Sequence, residues 1–255
     1  MLNFVMLMAI AFILECVDNA LGGGFGTILS PFLILFGYDP KAVVPAILFS
    51  ELVSGFWGGM WRTKYNNVNY RAVGATLVGS LTGTAAATIM IGRVLPDAMI
   101  KQLIALITVI TGIVVIIRSY SLIARTKTKK EISASKTILL GLVVGFNKAG
   151  SGGGYGPLSV SGYILLGLAP AVAVGTTTVA EGVACAFGLA LYSQMIGITL
   201  PLAAPIAIGA FIADPISAWA NNKLKEKLKP PFHGRYIGMG MTALGLLTLL
   251  KTLSR

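Results

Sequence analysis

GGGFGTILSPFLILFGYDPKAVVPAILFSE runs from Gly22 to Glu51, and GGGYGPLSVSGYILLGLAPAVAVGTTTVAE runs from Gly152 to Glu181. Laid over each other without a gap, at an offset of 130 residues, the two stretches agree at ten of 30 positions. The identities are three consecutive glycines, then Gly26/Gly156, Ile34/Ile164, Leu35/Leu165, Gly37/Gly167, Pro40/Pro170, Val44/Val174 and Glu51/Glu181. A composition this biased gives roughly 2–4 such matches by chance. The glutamates weigh most, because acids are rare in this chain. The 255 residues are therefore two copies of one unit: residues 1–119, a basic cytoplasmic linker over 120–136, and residues 137–255.

Each copy has the same plan. An apolar helix (about 2–20, then about 137–150) runs into the glycine cluster, and a short apolar helix follows (about 26–37, then 156–168). Three long apolar segments complete the copy, at about 41–61, 71–91 and 98–118, then at 171–196, 199–220 and 235–251. A short helix of ~12 residues extends ~18 Å, well under the ~30 Å hydrocarbon core of a bilayer. The first and short helices together then form a re-entrant hairpin that enters the membrane, turns at the glycines and returns. That leaves three crossings per copy, an odd number, so the two copies should sit in opposite orientation. Inverted repeats with broken helices are a recurring transporter architecture, with the binding site where the repeats meet.

Composition supports the membrane placement. Hydrophobic residues make up 55% of the chain and charged residues 11%, with a mean hydropathy of +0.82. Soluble domains carry about 25% charged residues. A secreted scaffold, a disordered tail and a nucleic-acid module are excluded on that ground, despite the net charge of +11. The expected fold is an all-α polytopic protein of the cytoplasmic membrane, with the bilayer as its partner and a homo-oligomer left open. Its basic residues cluster between apolar segments: Arg62, Lys64 and Arg71; Arg118, Arg125, Lys127, Lys129, Lys130 and Lys136; Lys223, Lys225, Lys227, Lys229 and Arg235. On the three-crossing plan all three clusters share one side, as the positive-inside rule requires of cytoplasmic loops. Lys251 and Arg255 are a minor exception. The N-terminal apolar run has no basic n-region and reads as a first membrane segment rather than a signal peptide.

Cys16 and Cys185 lie in apolar runs without CxxC spacing, and His233 is the single histidine. No metal or cofactor is expected. No Ser/His/Asp, HExxH or Cys/His constellation falls in the apolar segments, so the sequence argues against an enzyme.

The glycine clusters admit two readings. They give close helix packing or a kink, or they are unwound backbone lining a polar cavity, the setting in which irregular backbone is tolerated at membrane depth. On the second reading both short helices begin near the midplane and aim free N–H groups at a shared centre, where their dipoles favour an anion. The substrate-binding candidates are then Gly22, Gly23, Gly24 and Thr27 in one copy, and Asn147, Lys148, Ser151, Gly152, Gly153 and Gly154 in the other. Intramembrane charges sharpen the picture, since they are costly and mark function. Five of the nine acids lie within apolar segments: Glu15, Asp18, Glu51, Glu181 and Asp214. Lys148 is the base deep in one, and its counterpart in the other copy is Asp18. These two either form an ion pair across the pseudo-symmetry axis, or Lys148 is the fixed charge for an anion and Asp18 a coupling or gating group. Glu51 and Glu181 either hold the turns or carry protons. Asp214, before Pro215, lies nearer a helix end and reads as structural. Asn19 and Thr176–Thr178 offer further polar contacts at similar depth.

The paired turns ALGGGFGTILSPFL and AGSGGGYGPLSV, with the Pro and mid-helix Glu that follow each and the basic linker between them, resemble the TauE/SafE family of membrane transporters. The resemblance extends over essentially the whole chain. It implies an inverted-repeat transporter coupled to an ion gradient and carrying sulfite, an organosulfonate or a similar anion. The sulfur chemistry comes from the resemblance alone. A passive anion channel or a carboxylate transporter of the same architecture is the alternative.

Overall fold

A computed structural model describes residues 2–21, 23–64, 66–121, 132–224 and 231–254, and these are helical with short connections. The first half comprises α1 (Phe4–Leu21), α2 (Phe25–Leu35), α3 (Pro40–Lys64), α4 (Tyr70–Ile89, continued by a π turn over Met90–Val94) and α5 (Asp97–Ser121). The second comprises α6 (Ala134–Ser151), α7 (Tyr155–Leu166), α8 (Pro170–Met195), α9 (Leu200–Leu224) and α10 (Pro231–Leu253). Among the described residues six helices are long and apolar enough to cross a membrane: α3, α4, α5, α8, α9 and α10. These are the six long segments expected from sequence. The short helices α2 and α7 follow the glycines as expected, with Pro40 and Pro170 opening α3 and α8, where a proline's missing N–H costs nothing. Most of the linker lies outside the described residues; α5 reaches into it from one side to Ser121 and α6 begins within it at Ala134.

Packing crosses between the halves. The α4 helix lies along α6, and α9 lies along α1. Both contacts depend on missing side chains. Gly79 and Gly83 of α4 press on the carbonyls of Ile138 and Leu142, while Gly141 and Gly145 of α6 press on those of Thr76 and Ser80. Two GxxxG faces thus interlock, the arrangement that lets helix backbones approach closely in lipid. At the equivalent place in the other pair, Gly209 meets the carbonyl of Met8. Helices α3 and α8 cross where Gly55 meets Gly182, backbone to backbone. The start of α8 lies against the loop that ends α3: Asn69 N–H donates to Thr176 Oγ1 at 3.0 Å. At the opposite end Lys41, beginning α3, pairs with Asp97, beginning α5, at 2.9 Å.

One apolar core joins α1, α2, α3 and α9 through Leu7, Phe25, Leu29, Ile47 and Ile206; a second joins α3, α5 and α8 through Leu48, Ile104 and Leu189. The outer faces carry Ile13, Phe56, Val78, Ile110, Leu139, Phe211 and Leu247, all exposed. A belt of large apolar side chains facing outward around the bundle is what a lipid solvent selects.

Candidate functional site

The glycine turns are the place where the two halves touch at their broken helices. α6 ends at Gly152, whose left-handed backbone (φ 75°) lets its N–H return to the Lys148 carbonyl at 2.8 Å; α7 begins after Gly154 (φ 79°). Both angles fall in the region that glycine alone adopts cheaply. The contacts are reciprocal under the 130-residue offset. A Cβ on Gly23 would strike the backbone of Gly156 and Pro157, and one on Gly153 would strike Gly26 and Thr27. Gly26 meets the carbonyl of Gly152 in the same way. The first reading of the glycines, close packing, is what these contacts show; the helices are broken there, and the polar cavity beside the turns is lined by other residues. Gly22 lies outside the described residues, as does the side chain of Asn19.

Hydroxyls knit the crossing. Thr27 Oγ1 accepts the Gly154 N–H at 2.8 Å, and Ser151 Oγ accepts the Gly153 N–H at 3.1 Å while donating to the Asn147 carbonyl at 2.8 Å. Asn147 puts its Cβ beside Gly154. Asp18 Oδ1 accepts the Phe25 N–H at 2.7 Å, so the chain's own carboxylate already occupies the start of α2.

Lys148 is 1% exposed and pairs with both mid-helix glutamates: with Glu51, and with Glu181 at 2.9 Å. This replaces the ion pair to Asp18. The physical reason is plain: a carboxylate can accept the N–H of a helix start and an ammonium cannot, so the two equivalent positions turn to different partners. The glutamates correspondingly hold a lysine rather than the backbone of the turns.

Beside them the structure assembles a group that sequence reasoning left scattered. Ser54 Oγ lies 2.7 Å from Glu15 Oε1 and 3.2 Å from Asp214 Oδ1. Asp214 is buried within α9, not near a helix end, and belongs to this cluster. Arg62, assigned by sequence to a cytoplasmic loop, lies near enough to feel the charges of Asp18, Asp214 and Glu15. A cavity of about 30 Å³, room for one or two water molecules, is lined by Glu15, Asp18, Glu51, Ser54, Gly55, Thr178 and Glu181. In this neighbourhood acids outnumber bases five to two. Gly55 also borders a groove of about 450 Å³ between α3 and α8, which reaches Lys64 and Tyr70. Thr177 meets Ser159 at 3.0 Å. The signal that would have found Ser54, Arg62 and Asp214 is broken symmetry: their counterparts 130 residues away are Ala184, Tyr192 and Thr84.

Broken helices, a buried lysine between two repeat-related glutamates and an acid-lined cavity thus lie together where the two halves meet. The sequence matches the family described as Sulfite exporter TauE/SafE over residues 7–248. The chain belongs to the TauE/SafE family. A similar protein is the "Probable membrane transporter protein YtnM" of Bacillus subtilis (strain 168), 26% identical over 259 residues, covering 98% of this chain and 84% of the relative. The TauE/SafE match spans both glycine turns and all six long helices in most of their length, so the site described above lies wholly inside it.

Proposed function

We propose that the chain is a proton-coupled secondary transporter that moves a small oxyanion, sulfite or an organosulfonate, across the cytoplasmic membrane by alternating access. The observation that carries this reading is Lys148 held between Glu51 and Glu181 beside the crossed turns. An arriving anion competes with two carboxylates for that ammonium. A glutamate displaced and left ionised in a dry site costs several kcal/mol, so it takes up a proton instead. Anion entry and proton uptake become one event, neutral overall for a monovalent anion. The cavity lined by Glu15, Asp18, Glu51 and Glu181 has room for water, which would give the proton its route.

The acid excess also favours a coupled carrier over a passive channel, because a standing pore lined with carboxylates repels anions. Opposite orientation of the repeats is supported by α3 and α8: these equivalent helices run antiparallel, the start of one beside the end of the other. The three basic clusters then share the cytoplasmic side, toward which the groove between α3 and α8 leads.

The test uses purified protein in liposomes with a trapped pH indicator and a gradient of methanesulfonate, whose acid form is too strong to carry protons through lipid by itself. The expected result is saturable uptake with acidification of the compartment that the anion enters. Conductance that does not saturate and ignores pH would establish the channel, and uptake of acetate but no sulfonate would establish a carboxylate carrier.

A further inference from the structure

The two glycine turns are equivalent by sequence but not by chemistry. At the first, Asp18 stands at the start of α2, and the space over Gly24 is closed by α10, where a Cβ would meet Met241 Cε at 2.8 Å. The offset of 130 residues puts Lys148 in place of Asp18 and Thr111 in place of Met241 at the second turn. Lys148 has no acceptor to give the start of α7, and its ammonium is turned to the two glutamates. Thr111, on α5, is fully buried, and its hydroxyl has no hydrogen-bond partner. That hydroxyl lies 3.3 Å from the point a Cβ would take on Gly154, with Asn147 Cβ at 3.4 Å and Ile107 Cγ2 at 3.6 Å. A buried donor left unpaired is costly, and this one faces the N-terminus of a 12-residue helix. The first-turn N–H groups of that helix, those of Tyr155 and Gly156, have no acceptor inside it, and Pro157 has no N–H to offer.

We propose that the oxyanion that competes for Lys148 is received at the second turn alone, which Lys148 precedes by four residues, one oxygen accepting from Thr111 Oγ1 and another from the start of α7. Asp18 plays the same part permanently at the first turn. Two donors set on different helices suit an anion with at least two acceptor oxygens, such as sulfite or a sulfonate. This rests on the reading of the chain as an anion carrier and adds to it a stoichiometry of one and a residue that selects the substrate.

Isothermal titration of the full chain in detergent with sulfite and with methanesulfonate tests both points. The expected result is one anion bound per chain, at least tenfold weaker binding by Thr111→Val, and affinity within a few-fold of the parent for Thr111→Ser. Thermal melting checks that Thr111→Val is folded, and Thr111→Ala replaces it if it is not. Two anions per chain, or unchanged affinity in the folded variant, overturns the Thr111 subsite and leaves the carrier reading standing. No binding of either anion by the parent protein overturns both.

Discussion

Lys148 sits in a position where its removal and its neutralised surroundings have opposite consequences. Taking the ammonium away leaves the buried Glu51 and the partly buried Glu181 as adjacent carboxylates. Breaking a buried ion pair from one side costs roughly 3–5 kcal/mol, so Lys148→Met is expected to lower the melting temperature in detergent sharply. Adding Glu51→Gln and Glu181→Gln to Lys148→Met should recover most of that stability while transport stays absent; stability that does not return would show that the lysine acts through other contacts. Glu181→Gln alone separates the proton from the anion. Exchange of labelled methanesulfonate across liposomes at equal concentrations should persist, while acidification driven by its gradient should fall at least tenfold. Acidification that survives would move the coupling role to another carboxylate.

The helical elements follow from local features, and so they were legible. Apolar runs of 20 or more residues gave the six long helices, and three consecutive glycines marked each break. Contacts between elements were not legible, because they join residues far apart. Ser54 meets Glu15 across 39 positions and Asp214 across 160. No local pattern encodes such a meeting, and Asp214 beside Pro215 looked like a helix-end residue for that reason. Thr111 was invisible for another reason: one hydroxyl in an apolar helix normally satisfies itself on the preceding turn, as Thr108 does with the Ile104 carbonyl at 2.8 Å. At this scale the crossing of the broken helices makes a sharp prediction. Gly153→Ala would drive a methyl into the Thr27 backbone, where neither side can yield, whereas Gly74, mid-helix on α4, has nothing within 4 Å of its would-be Cβ. The first substitution is expected to lose most folded protein in a fluorescence size-exclusion assay. Gly74→Ala should be neutral or gain up to about 1 kcal/mol from helix propensity. Equal behaviour of the two would mean the turns do not cross as described.

Across the whole molecule, the two copies share a plan but not a charge pattern. Glu15, Asp18, Ser54, Arg62 and Asp214 face Gly145, Lys148, Ala184, Tyr192 and Thr84 under the repeat offset. The symmetric frame supplies the crossing, and the departures from symmetry supply the acid cluster on one side and the lysine on the other. The halves also exchange partners, α4 with α6 and α1 with α9. Residues 1–121 and 132–255 made as separate chains should therefore accumulate only when produced together, each alone being degraded. Stable accumulation of either half by itself would contradict the interlocked packing.

That exchange sets a clock on synthesis. Helix α1 ends at Leu21 and its partner α9 begins at Leu200, so 178 residues must emerge between them. At about 5–20 residues per second, the nascent α1, with Glu15 and Asp18, waits roughly 10 to 35 seconds for α9 and Asp214, although Ser54 and Arg62 on α3 emerge earlier. A helix carrying two such acids is poorly suited to bare lipid during that interval. The first segment to be made is thus among the last to find its place, and the cell's insertion machinery has to shelter it until the ninth helix arrives.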